Sequence, residues 1–151
     1  MNLADIAVVV ATVLVGLLAG NELGTLSVVH PALEKAGYPA GRPGAQAIVA
    51  RYGKVMPAAM PLTIAVTFLT AALLDGTQTV LMLIAGALLV VMLLVTLVGL
   101  APLNSRQIAA TESTPAEEWR GWRKRWLKLH TVRVVCDITA LVLVATAALL
   151  R

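Results

Sequence analysis

The residues of this chain that could do chemistry gather at the head of its last apolar segment. Trp119, Trp122, Trp126, His130, Arg133 and Asp137 follow one another at spacings of 3, 4, 4, 3 and 4. At about 100° per residue, Trp119 and Asp137 are separated by about five whole turns and share one helical stripe. The lower half of the stripe enters a segment apolar enough to cross a bilayer, where ionisable groups are costly, need partners and mark a functional site by default. Asn21, Glu22 and His30 in the first apolar segment, and Asn104 after the third, are the residues that could face it. Glu22 stands about 12 Å of helix from His30, and Asp137 stands about seven residues from His130. Two helices can therefore offer a carboxylate and a histidine at matching depths, with Arg133 between them to neutralise Glu22, Asp137 or both.

Three chemistries fit that set. Arg133 with Glu22 or Asp137 forms a buried ion pair, because a buried arginine needs a partner whatever else the site does. A histidine with an unperturbed pKa of ~6.5, His130 or His30, takes a proton from a lipophilic substrate. Alternatively His30 and His130, with Glu22 or Asp137, hold zinc or non-haem iron, and the two histidines alone suit haem; no HxxxH or ExxH spacing supports this third case. Three of the six aromatic residues (three Trp, two Tyr, one Phe) lie on the stripe. They suit either a membrane-interface belt or a mouth that stacks on a flat ligand. Asn104 suits a helix cap or a donor to a substrate oxygen. Cys136, the one cysteine, allows no intrachain disulfide and reads as a packing thiol.

The elements that must position these groups are membrane helices. Of the 151 residues, 59% are hydrophobic and only 13% charged, against roughly 25% charge in soluble domains. Apolar stretches at 6–29, 57–74, 79–101 and 131–150 each approach the ~20 residues that span a bilayer. They are continuous rather than alternating, which excludes a barrel. The expected fold is all-α: a single-domain integral membrane four-helix bundle over 1–151, with a lateral or cytoplasmic-face pocket at its inner end. The first stretch lacks a basic n-region and a cleavage site, so it reads as a retained helix. The first connection carries Lys35, Arg42, Arg51 and Lys54, and the third carries Arg106, Arg120, Arg123, Lys124, Arg125 and Lys128. These are ten of the twelve basic residues; Arg133 lies in a span and Arg151 opposite. The positive-inside rule makes the two connections cytoplasmic and both termini external, in the plasma (inner) membrane. The net charge of +4 follows from that rule and does not indicate nucleic-acid binding.

Along the chain, Gly16, Gly20 and Gly24 form a small-residue stripe suited to close helix packing or to a homo-oligomer. Glu22 lies roughly opposite it. His30-Pro31 is expected to end the first helix. A loop from 31 to 54 with Gly37, Pro39, Gly41, Pro43 and Gly44 follows, with a short helix from Ala45. Pro57 and Pro61 open the second helix, Asp75-Gly76 forms the outer turn, and the third helix runs to Pro102. After a polar loop at 105–114, Thr114-Pro115-Ala116-Glu117 reads as a capping box. A single helix from about 115 to 150, roughly 54 Å long, then extends beyond the membrane into the cytoplasmic interface.

Gly-Asn-Glu-Leu at 20–23, His30-Pro31, Pro102-Leu103-Asn104-Ser105-Arg106, Pro115-x-Glu117-Glu118-Trp119 and Trp126-x3-His130-x2-Arg133 together resemble the anthrone oxygenase-like family of small four-helix membrane proteins. The resemblance spans most of the chain, and its Asn-x-Arg and Trp-x3-His-x2-Arg parts are the most specific. It implies oxidation of an anthrone to an anthraquinone with dioxygen, and it carries His30, Asn104, Trp126, His130 and Arg133 over as site residues. Glu22 and Asp137 come from membrane physics instead. An anthrone's central CH₂ gives a delocalised anion that reacts with dioxygen without a redox cofactor. On this reading His130 is the base, Arg133 stabilises the developing oxyanion, and Trp122 and Trp126 lie against the rings. Two other classes stay open. A glutamate in the first of four short helices is similar to small multidrug exporters, although their loops are short. The glycine stripe also suits a non-catalytic partner subunit.

Overall fold

The computed structural model describes residues 2–38 and 40–150, so the expectations for Pro39 and Arg151 lie outside the described residues. Four helices are long and apolar enough to cross a membrane: α1 (Leu3–Ala36), α2 (Gly41–Ala71), α3 (Gly76–Ala109) and α4 (Ala116–Leu149). Each packs against its chain neighbours and α4 closes the ring onto α1, while among the described residues the backbones of the diagonal pairs stay apart. This is an up-down-up-down bundle. Its outward faces, with Leu17, Leu69, Val98 and Val135 exposed, are apolar, as a hydrocarbon solvent requires. The chain is a multi-pass membrane protein. A tight core of small and medium residues (Ala11, Val15, Met82, Ala85, Leu89, Ala140, Val144) fills the end away from the polar groups.

The helices run past the expected ends, for identifiable reasons. Asn2 and Asp5 cap α1 reciprocally: Asp5 N donates to Asn2 Oδ1 at 2.9 Å, and Asn2 N to Asp5 Oδ2 at 2.8 Å. Pro31 does not end α1. The turn before it, Thr25–Val29, is π-helical, and His30 N–H donates back five residues to Thr25 O. The wider turn moves the preceding carbonyls away from the proline ring, so the helix continues to Ala36. Pro102 in α3 is handled alike: Val95–Leu100 is π-helical, and Ala101 N–H donates to Thr96 O. The third helix therefore runs to Ala109, and Asn104 lies within it rather than after it.

The expected loop at 31–54 is reduced to the residues between Ala36 and Gly41. Gly41 begins α2, and a Cβ there would stand 2.6 Å from Leu33 O, so only glycine allows this approach to α1. The separate helix from Ala45 does not exist, because Pro57 and Pro61 lie inside a single α2. The polar loop of the third connection is likewise reduced, to the residues between Ala109 and Ala116. The Thr114 capping box does not form. Pro115 takes the cap position without a side-chain bond, and Thr114 Oγ1 accepts from Thr111 N at 3.0 Å. Gln46 of α2 instead closes the end of α3, donating through Nε2 to Gln107 O (2.9 Å), Ile108 O (3.2 Å) and Ala110 O (2.8 Å). Because α1 and α3 are as long as α4, the fourth helix extends past the apolar zone in their company.

Candidate functional site

The π-turn of α1 builds one wall of the site. In a regular helix, eight residues turn about 800°, leaving Glu22 and His30 about 80° apart. The π-turn absorbs one residue, so the two behave as if seven apart and share a face. Both are buried, with Thr25 between them. Met92 and Leu100, also eight apart and fully buried, flank the matching turn of α3.

α4 supplies the opposite wall. Trp119, Arg123, Trp126, His130, Arg133 and Asp137 all turn inward and are buried. Trp122 flanks this stripe half-buried, against Leu100, Leu103 and Trp126. The member that sequence reasoning passed over is Arg123. It lies four residues from Trp119 and three from Trp126, so the same spacing would have found it.

Two polar clusters join these walls. In the deeper one, Arg133 Nη2 donates to Glu22 Oε1 at 2.6 Å, and His130 Nδ1 stands 3.2 Å from Glu22 Oε2 without full hydrogen-bond alignment. Glu22, not Asp137, takes the arginine. Asp137 is fully buried one turn below, and neither of its oxygens has a hydrogen-bond partner among the described residues. In the outer cluster, Arg123 donates to His30 Nδ1, to Glu34 Oε1 at 3.2 Å and to Gln107 Oε1 at 3.3 Å. Arginine can only donate, so His30 Nδ1 accepts and its ring proton sits on Nε2.

Trp126 lies between the clusters. Its ring centroid is 4.3 Å from His30 and 4.5 Å from His130, and the Arg123 guanidinium is 5.5 Å from it. Trp126 Nε1–H donates to Asn104 Oδ1 at 2.7 Å, which occupies the oxygen that was expected to cap a helix or a turn. With only 6% of each exposed, Trp119 and Trp126 are bundle residues rather than an interface belt.

A cavity of about 670 Å³ opens on this wall, inside the ~300–1,000 Å³ range of small-molecule sites. Glu22, Asn104, Trp126, His130 and Arg133 line it. Its mouth lies between α2 and α3, where Lys54, Pro57, Pro61, Leu97 and Ser105 are exposed. Tyr52, absent from the expected set, contributes a hydroxyl 2.7 Å from Thr25 Oγ1 and 3.1 Å from Asn21 Oδ1. His30, Trp122 and Asp137 do not line the cavity: His30 lies behind Trp126, Trp122 packs against Leu100 and Leu103, and Asp137 is buried one turn below Arg133. No three His, Cys, Asp or Glu side chains among the described residues group closely enough to hold a metal ion.

Residues 46–143, more than half of the chain, match the anthrone oxygenase family. The chain belongs to that family. No curated protein and no solved structure matches it. Within the family match fall Asn104, Trp126, His130 and Arg133, four of the five cavity groups named above. Glu22 comes from α1, outside the matched residues, and supplies the counter-charge that the arginine and the histidine share.

Proposed function

We propose that this anthrone oxygenase-family protein oxidises a lipophilic, anthrone-type aromatic to its quinone with dioxygen, at the cavity between α2 and α3. The observation that carries the reading is the placement of His130. It lines an apolar cavity beside the Trp126 ring, with the Glu22 carboxylate behind its Nδ1. A proton on Nδ1, directed at Glu22, leaves Nε2 to act as a base, and the carboxylate stabilises the imidazolium that forms. Nε2 is buried and has no hydrogen-bond partner among the described residues.

The steps balance. His130 Nε2 takes a proton from the central CH₂, and the electron pair spreads onto the carbonyl oxygen. Arg133 uses one N–H on Glu22 and has others to offer that oxygen. The carbanion carbon gives its electrons to dioxygen and forms a C–O bond, and the peroxide takes the proton back. Loss of the remaining hydrogen on that carbon, with cleavage of the O–O bond, leaves the quinone carbonyl and one water. With the basic connections cytoplasmic, the polar end of the cavity lies toward the inner leaflet.

Proton-coupled export through Glu22 fits less well, because Arg133 already neutralises that carboxylate. Protein in lipid nanodiscs, given an anthrone, should form quinone faster than empty discs, consuming one dioxygen per quinone and needing no pH gradient. A rate no greater than that of empty discs would remove the oxygenase reading.

A further inference from the structure

The cavity is longer than three fused rings need. Its wall on α2 runs from Val49 to Pro61, about 18 Å of helix. On α3 it runs from Leu93 to Ile108, about 22 Å. The two ends differ in chemistry. Contacts between helices fix the levels: Tyr52 of α2 meets Asn21 and Thr25 of α1, Glu22 meets Arg133, and Asn104 of α3 meets Trp126. The ionisable and aromatic groups thus crowd the half near the α1–α2 and α3–α4 connections. Past the level of the Glu22–Arg133 pair, toward the middle of the bundle, the wall is Met60, Pro61 and Leu93. Thr96, at the boundary, returns its hydroxyl to its own helix at Met92 O (2.9 Å). That half presents no side-chain hydrogen-bonding group to an occupant.

We infer that the molecule bound here is an aromatic head carrying an apolar tail, alkyl or isoprenoid. The head lies against Trp126 and His130, and the tail runs past Met60 and Leu93 toward the bilayer centre. This rests on the oxygenase reading for the head and adds the tail. The mouth supports it: Pro57, Pro61 and Leu97 are exposed along the α2–α3 seam, so the ligand enters sideways from the hydrocarbon. A tail dissolved in that hydrocarbon can slide into the apolar half with little desolvation, while the head reaches the polar half.

The test compares anthraquinone with a hexyl-substituted anthraquinone. Binding is read by quenching of tryptophan fluorescence in nanodiscs, with each compound's concentration corrected for partition into lipid. With partition removed, the water-to-apolar gain cancels, and the hexyl compound should still bind about threefold tighter or better, because Met60 and Leu93 pack on the tail more closely than lipid does. That preference should fall to near parity in Leu93→Phe and in Met60→Phe, two variants that fill the apolar half from different helices, so that one serves if the other misfolds. Equal binding in wild type, or a preference that survives in both folded variants, overturns the tail. Turnover of the matching anthrones, run in parallel, separates the two claims. His130-dependent oxidation without a tail preference removes only the tail. A tail preference without oxidation removes the oxygenase reading and keeps the tail-binding pocket.

Discussion

Glu22→Gln tests whether the deeper cluster is held by charge. The Glu22 and Arg133 side chains are 4% and 7% exposed, with 2.6 Å between Oε1 and Nη2. At that separation, an effective dielectric near 20 gives an attraction of about 6 kcal/mol. Desolvation of both ions, several kcal/mol each, offsets much of it. The pair is therefore near neutral in net stability, yet removing one member strands the other. Glu22→Gln and Arg133→Met should each lower unfolding stability by about 3–5 kcal/mol. The double variant, with neither charge left, should lie within about 1–2 kcal/mol of wild type. The assay is unfolding in mixed micelles by SDS titration, followed by helical circular dichroism, for the four proteins of the cycle. Losses that simply add in the double variant would refute the coupling, and with it the claim that Glu22 is the counter-ion of Arg133.

Three further outcomes are expected. Gly86→Ala places a Cβ 2.7–3.0 Å from three ring atoms of Phe68, so it should destabilise the α2–α3 contact by about 1–3 kcal/mol; Phe68→Leu in the same chain should recover most of that, and a stable single variant would show that the ring can move. Trp126→Phe keeps the ring stack but loses the Nε1–H to Asn104 bond, for about 1 kcal/mol, and it should be non-additive with Asn104→Ala when melting temperatures are compared; full additivity would mean that the bond contributes nothing. Arg123→Leu strips buried His30 and Gln107 of a donor, at about 1–3 kcal/mol per stranded group, whereas Glu34→Gln keeps an acceptor beside Arg123 and leaves its bonds to His30 and Gln107 in place, so with the carboxylate 60% exposed it should cost less; equal melting temperatures for the two variants would contradict the outer cluster as described.

The four helices and the inward stripe of α4 were legible in the sequence, because continuous apolar runs and a 3–4 spacing have one common explanation. The partnership of Arg133 with a carboxylate was legible too, since burial demands it, but the choice of Glu22 over Asp137 depends on how α1 is rotated. That rotation was hidden. Pro31 and Pro102 read as helix ends by local sterics, and nothing in residue type announces the π-turns that let α1 and α3 continue and bring His30 onto the face of Glu22. Arg123 escaped notice because basic residues in that stretch suit the cytoplasmic face equally well; only its place in the stripe marks it. Trp122 satisfies the 3–4 spacing as well as Arg123 does, yet Arg123 takes the inward position. Thr114-Pro115-Ala116-Glu117 has the residues of a capping box, but Thr114 Oγ1 serves the turn at Thr111 instead.

The most direct measurement is the initial rate of dioxygen consumption with an anthrone for His130→Gln in nanodiscs, corrected for autoxidation, beside wild type. Glutamine keeps a polar side chain in the cavity wall but cannot act as a base near neutral pH. The expected result is a rate about 100-fold or more below wild type, with quinone binding retained. A His130→Gln protein that oxidises the anthrone as fast as wild type would contradict His130 as the base and the assignment of this cavity as the oxidation site.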